Sequence, residues 1–265
     1  MQDILQEIVA NKRHEVEARK AICPLETLKA QVEDVIMRPT RSMRKALSDS
    51  PSGIIAEFKR RSPSKGWLHP EALICEILPA YETGGAAACS VLTDADFFGG
   101  SPEDLRQARA CCTLPLLRKD FIIDTYQLYE ARLWGADAVL LIAAAIDRET
   151  CASLAKQAHG LGLEVLMEVH SKEELGHLSP EVDMLGVNNR HLGTFHTDVE
   201  ASFRLAGSLD TGSLSPLRVS ESGISRPESV RQLRQAGFQG FLIGETFMKT
   251  ADPGETLSRF IKELA

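Results

Sequence analysis

Glu57 and Lys59 stand one residue apart where the apolar run Ile54–Phe58 ends. Alternate side chains of a strand share a face, so this carboxylate and this ammonium project together. A solvated basic loop accounts for the following Arg60, Arg61 and Lys65, but not for Glu57. A charge inside an apolar strand is costly unless it is paired. Lys119 follows Leu116-Leu117-Arg118 in the same way, and Glu168 closes the apolar run 164–168. Asn188 and Arg190 follow the run 184–187, and Glu221 follows the run 217–220. Ammonium groups beside an anionic ligand have shifted pKa values, and a lysine so tuned donates a proton near neutral pH. Taken alone, Arg118-Lys119-Asp120 is more simply a solvated surface triplet. His170, two residues beyond Glu168, fits a loop or helix cap better than a catalytic base.

These residues need a scaffold that brings several strand ends together. Eight β-rich runs, at 54–58, 87–92, 115–118, 138–142, 164–168, 184–187, 217–220 and 240–243, alternate with helical patterns such as 125–134, 148–159 and 226–235. Strict alternation predicts a parallel sheet with right-handed crossovers, and eight strands close an α/β (β/α)8 barrel, the TIM barrel. A doubly wound open sheet is the rival, but no G-x-G-x-x-G follows the first strand. Ser101-Pro102 and, more weakly, Ser225-Arg226-Pro227 are helix starts, while Gly135, Gly160 and Gly237 stand where helices end. Before the first strand, Ile4, Leu5, Ile8 and Val9 mark one face of a polar helix, and a second helical stretch lies between Pro24 and Pro39. Residues 1–50 are expected to form a helical extension packed on a barrel at 51–265, all within one domain.

In such a barrel, chemistry belongs at the C-terminal strand ends, and the loops after strands seven and eight commonly hold phosphate. Ser222-Gly223 and Leu242-Ile243-Gly244-Glu245 occupy those two loops. Thirty Lys and Arg against 37 Asp and Glu give a net charge of −7, which opposes a nucleic-acid binder relying on bulk electrostatics. The apolar stretch 136–146 is too short to span a bilayer, and no signal-peptide core is visible near the start. Six cysteines without a C-x-x-C pair predict neither a disulfide framework nor a zinc site. No P-loop, H-E-x-x-H or G-x-S-x-G occurs. The residues therefore predict a cytoplasmic acid/base enzyme for a small phosphorylated anion, with no metal, no cofactor, and neither nucleic acid nor membrane as partner.

Together these segments resemble the indole-3-glycerol phosphate synthase family. The matching stretches are Ile55-Ala56-Glu57-Phe58-Lys59-Arg60, Ser62-Pro63-Ser64-Lys65-Gly66, Ser90-Val91-Leu92-Thr93-Asp94 with Phe97-Phe98, and Leu117-Arg118-Lys119-Asp120-Phe121. Leu166-Met167-Glu168-Val169-His170, Gly186-Val187-Asn188-Asn189-Arg190, Ser220-Glu221-Ser222-Gly223-Ile224 and Leu242-Ile243-Gly244-Glu245 follow in family order. The resemblance implies a substrate, 1-(2-carboxyphenylamino)-1-deoxyribulose 5-phosphate, that is cyclised, decarboxylated and dehydrated to indole-3-glycerol phosphate. It implies Lys119 as general acid, Glu168 as general base, and Lys59, paired with Glu57, as contact for the substrate's anionic groups and helper in dehydration. Asn188 and Glu221 match positioning residues. Ser222, Gly223, Gly244 and Glu245 match the phosphate site, and Ser62 a loop residue near the anthranilate end. Phe121, Arg190 and Leu242 complete the expected binding set.

Arg61, Thr125 and Gly99-Gly100 depart from the usual family pattern without removing a proposed catalytic side chain. A phosphoribosylanthranilate isomerase would need a cysteine and an aspartate, and Cys89 is not at a strand end. A barrel that binds a phosphorylated metabolite without turnover would have lost a mouth residue, and none is missing. A monomer, with transient contacts to neighbouring tryptophan-pathway enzymes, is the expected state.

Overall fold

The computed structural model describes residues 4–190, 197–207, 211 and 214–264. Eight parallel strands close a barrel: β1 (Ile54–Phe58), β2 (Ala88–Leu92), β3 (Leu116–Lys119), β4 (Ala138–Ile142), β5 (Glu164–Val169), β6 (Met184–Asn188), β7 (Leu217–Glu221) and β8 (Gly240–Ile243). Each strand pairs with its neighbour in sequence, and β8 returns to β1. The strands are buried almost throughout, as an all-parallel sheet with covered faces requires. One apolar layer fills the space between barrel and helices, around Tyr81, Leu128, Trp134 and Phe247. A second fills the barrel itself, with Ile55, Leu117, Leu140, Leu166 and Val219.

Strands β3, β6 and β7 run one residue past their apolar stretches and include Lys119, Asn188 and Glu221. The ladder explains this. Lys119 pairs with Leu92, and Asn188 with Glu221, so backbone bonding holds the polar residue rigidly at the mouth. Ser101 caps the helix Pro102–Cys111 through its hydroxyl, and Gly135 ends Thr125–Trp134 in the left-handed conformation. Two boundaries differ from the sequence reading. Gly160 lies inside the helix Arg148–Gly160, and Gly162 carries the positive φ, of 75°. Arg226, not Ser225, occupies the N-cap of Pro227–Gln235.

The first fifty residues touch the barrel at three places. Helix α1 (Ile4–Ile22) sends Leu5, Ile8 and Val9 into the apolar cluster with Phe121, Ile142 and Leu242 at the mouth. Helix α2 (Leu25–Ile36) runs beside Thr125–Trp134, where Arg132 donates to the Val35 carbonyl at 2.9 Å. Helix α3 (Met43–Asp49), absent from the sequence reading, closes the opposite end. Its Met43 and Leu47 are 0% and 1% exposed inside the barrel cluster. Its cap holds Glu164 at the start of β5, with the Ser42 hydroxyl donating to one oxygen and Arg44 N–H to the other.

Helix α1 is also tied down by charge. Lys12 is fully buried, with Nζ 2.8 Å from Glu15, 2.9 Å from Asp94 and 3.0 Å from Asp120. Asp120 in turn meets Arg118, another fully buried cation, at 2.9 Å. Arg118 is therefore not part of a solvated triplet. It turns away from the mouth towards Glu130 and lies over the Trp134 ring, 4.3 Å from its centroid.

Candidate active site

A cavity of about 570 Å³ opens at the C-terminal ends of the strands. Every residue singled out in the sequence as catalytic or binding lines it: Glu57, Lys59, Ser62, Lys119, Phe121, Glu168, Asn188, Arg190, Glu221, Ser222, Gly223, Leu242, Gly244 and Glu245. His170 lies outside that lining, behind Glu168.

On β1, Lys59 Nζ meets Glu57 Oε1 at 2.6 Å, the pairing that alternation along the strand predicts. Across the barrel, Lys119 Nζ stands 3.6 Å from Glu168 and 4.0 Å from Glu221. Glu168 Oε1 accepts from Asn188 Nδ2 at 3.0 Å. Strand β6 carries glycine at 186 and leaves room here, because a Cβ there would come within 2.0 Å of Glu221. Gly244 does the same for Glu57, which a Cβ would approach to 2.4 Å.

Burial opposes charge on each of these groups, and the neighbours decide the outcome. Burial disfavours the Lys119 ammonium, yet Glu168, Glu221 and Glu57 raise its pKa well beyond the ordinary lysine range. This differs from a lysine tuned towards neutrality: the proton is held firmly until a substrate group competes for it. Burial works against ionised Glu168 and Glu57, but Lys119 and then His170 hold Glu168 below the usual carboxylate value, and Lys59 and Lys119 do the same for Glu57. Glu221 goes the other way, because burial and the adjacent Glu168 charge together outweigh Lys119. Glu168 and Glu221 are thus pushed in opposite directions, the arrangement by which one pocket can supply both an acid and a base.

The loop after β1 folds over this site as a short hairpin, pairing Arg61 with Trp67. Arg61 stacks on the Trp67 ring, and Gly99 packs against that ring's edge. Arg190 ties the hairpin to the last loop by donating to Ser64 and reaching Glu245 at 3.3 Å. Ser222 and Gly223 both have positive φ, 68° and 76°. For serine that conformation is strained and marks a local constraint. Thr125 simply opens its helix behind an Asp124–Gln127 capping box.

Several lining residues had no local signal. Ile4, Leu5 and Ile8 form part of the wall from α1, together with Leu92, Phe98, Phe121 and Ile142. Their periodicity marked an apolar face but not its target. Lys249 and Thr246 join from the helical turn after β8, where nothing in the sequence distinguished them.

A closed parallel barrel with lysines and glutamates converging at its mouth, beside an apolar wall, defines a (β/α)8 enzyme of the acid–base class. The family model for indole-3-glycerol phosphate synthase matches residues 5–263, and the chain belongs to that family. The enzyme is a carbon–carbon lyase of tryptophan biosynthesis that closes the indole ring with loss of carbon dioxide. The chain is 60% identical to the indole-3-glycerol phosphate synthase of Bacteroides thetaiotaomicron over 264 residues, covering 100% of both. It is 44% identical to that of Burkholderia ambifaria, covering 98% of this chain and 99% of the relative.

Solved structures share the fold at low identity. A tryptophan synthase alpha subunit from Legionella pneumophila superposes with TM-score 0.59 at 14% identity, over 84% of this chain and 96% of that one. A thiamine phosphate pyrophosphorylase from Pyrococcus furiosus gives 0.57 at 18%, over 84% and 99%. Among the described residues, no helix is long and apolar enough to cross a membrane.

Proposed function

We propose that Lys119 protonates the ribulose carbonyl oxygen of 1-(2-carboxyphenylamino)-1-deoxyribulose 5-phosphate while the aromatic carbon bearing the carboxylate attacks the carbonyl carbon. The observation that carries this reading is the position of Lys119 Nζ at the mouth, 3.6 Å from Glu168 and 4.0 Å from Glu221, carboxylates that raise its pKa and favour the ammonium. Carbon dioxide then leaves and returns its electron pair to the ring. Dehydration follows: the new hydroxyl departs as water with a proton from an ammonium, and a carboxylate takes the proton lost from the neighbouring carbon. Glu168, whose pKa Lys119 and His170 hold below the usual carboxylate value, is suited to that base role. Lys59, held by Glu57, is placed to bind the substrate carboxylate and to assist hydroxyl departure.

The phosphate is assigned to the backbone of Ser222, Gly223, Gly244 and Glu245, with Arg190 and Lys249 nearby as cations. The anthranilate ring is assigned to the wall of Ile8, Phe98, Phe121 and Leu242, with Ser62 at its edge. Residues 1–50 act as part of the same functional unit, since they supply that wall. A monomer working in the cytoplasm fits the cysteines, which all carry free thiols.

The test is indole fluorescence appearing from that substrate with purified protein. Lys119→Ala and Glu168→Gln should each lower kcat by roughly 10²–10⁴-fold with the fold intact, the usual range for one acid–base group. Near-wild-type turnover by either variant overturns its assignment.

A further inference from the structure

Glu168 and Glu221 sit against one ammonium, at 3.6 and 4.0 Å from Lys119 Nζ, yet their surroundings push their pKa values in opposite directions. Behind Glu168 lies a residue that the reaction has not so far used. His170 is two positions along β5 and its loop, and its Nε2 stands 3.4 Å from Glu168 Oε1. Its Nδ1 stands 3.6 Å from Glu174 Oε2, in the turn Glu173–His177. That same Glu174 oxygen accepts the His170 backbone N–H at 2.7 Å, which fixes the ring's attachment. The imidazole is therefore enclosed between two carboxylates, with its side chain only 15% exposed.

We propose that His170 is a positioning residue, whose imidazolium, anchored by Glu174, holds Glu168 as the ionised member of the Glu168–Glu221 pair. The inference rests on the reading of Glu168 as base. The geometry separates the two oxygens of Glu168. Oε1 accepts from Asn188 Nδ2 at 3.0 Å and has His170 Nε2 at 3.4 Å, an ion-pair approach in which neither ring nitrogen makes a hydrogen bond among the described residues. Oε2, on the Lys119 side, accepts no hydrogen bond among the described residues and faces the cavity. Glu221 has no comparable support, and neither of its oxygens accepts a hydrogen bond among those residues.

Two carboxylates so close cannot both ionise cheaply, and a cation behind one of them decides which keeps the proton. The charged groups acting on His170 are Glu168, Glu174 and, across the mouth, Lys119. Burial and Lys119 disfavour the imidazolium, and the two glutamates more than compensate, so its pKa lies above the ordinary histidine value.

The experiment compares the pH dependence of kcat/KM for wild type, His170→Asn, Glu174→Gln and Glu168→Gln, with thermal melts to confirm folding. With the imidazolium gone, the acid limb of His170→Asn should move up by about one pH unit, a tenfold loss at pH values on that limb. KM for substrate should change little. Glu174→Gln should move the limb in the same direction by less. An acid limb that stays in place in folded His170→Asn overturns the proposal. If that variant does not fold, an unmoved limb in Glu174→Gln overturns it instead. Substantial activity in Glu168→Gln would remove the base assignment itself. Loss of activity there, with an unmoved limb in the other two, sinks only the role of His170.

Discussion

Glu221 occupies a space that Gly186 leaves open on the neighbouring strand: a Cβ at position 186 would lie 2.0 Å from the Glu221 carboxylate and 3.2 Å from Leu166. Gly186 itself pairs with Glu168 on one side and Val219 on the other. A missing side chain in the middle of a barrel strand thus sets where one of the mouth carboxylates can be.

Gly186→Ala should push that carboxylate out of place while leaving the barrel folded. Misplacing a reacting group by about an ångström costs up to about 10²-fold in rate. We expect kcat/KM to fall by roughly 10–100-fold, with about 1–3 kcal/mol of destabilisation from overpacking. Steady-state kinetics beside urea unfolding would show both. Unchanged kinetics would mean that the Glu221 position is not critical.

Glu221→Gln should raise stability while lowering activity. The folded state raises the pKa of this carboxyl, through burial first and the Glu168 charge second. An unfolded glutamate ionises near its ordinary value, so the folded protein binds more protons above that point and loses stability as pH rises towards the folded pKa. The variant's melting temperature should exceed wild type at pH 8, and the gap should close as pH drops towards the ordinary glutamate value. A constant gap at all pH values would contradict this account.

Lys12→Met leaves Asp94 and Asp120 buried without their shared cation. Breaking one side of a buried ion cluster typically costs about 3–5 kcal/mol, measurable as a lower urea midpoint. The pH dependence follows from two shifts. Asp120 is held well below the ordinary aspartate value of 3.8, so its contribution is present above that pH and fades as pH falls. Lys12 is raised above 10.5, so its contribution is present below that pH and fades as pH rises. Wild type should be most favoured over Lys12→Met between these limits, and the difference should shrink in acid.

Ile8→Ser tests the wall that α1 provides. Taking an apolar side chain from a ligand-facing wall costs about 1–3 kcal/mol of discrimination, or 10-fold and more. KM should rise by about tenfold, and kcat should fall less, because no proton-transfer group is touched. A variant that loses kcat but keeps KM would place the helix in the chemical step.

The scaffold was legible because each barrel strand is buried on both faces and therefore appears as an unbroken apolar run. The charges that interrupt those runs at Glu57, Lys119, Glu168 and Glu221 stood out for the same reason. What could not be read were partnerships across long separations. Lys12 looks like any polar residue of a solvent-facing helix, yet two of its three carboxylate partners, Asp94 and Asp120, are 82 and 108 residues away. Arg118 and Lys119 are adjacent cations, but strand alternation sends one into the outer layer and the other into the mouth. Helix α3 is seven residues long and carries only Met43 and Leu47 as a buried stripe, too little for periodicity to detect. His170 reads from sequence as a loop or helix-cap residue, because its contact with Glu174 exists only once a turn brings that carboxylate back beside it.

The capping of both barrel ends by the first fifty residues has a consequence for how the chain is made. Helices α1 and α3 leave the ribosome before any barrel strand, but their apolar partners include Leu217 on β7 and Leu242 on β8, the last two strands to follow. Until those strands emerge, Leu5, Ile8, Met43 and Leu47 have an incomplete surface to settle on, and closing such distant contacts is slow. A segment made ahead of the barrel thus completes its contacts only after β7 and β8 are made, and a nascent chain stalled before β7 would leave these side chains with part of their surface missing.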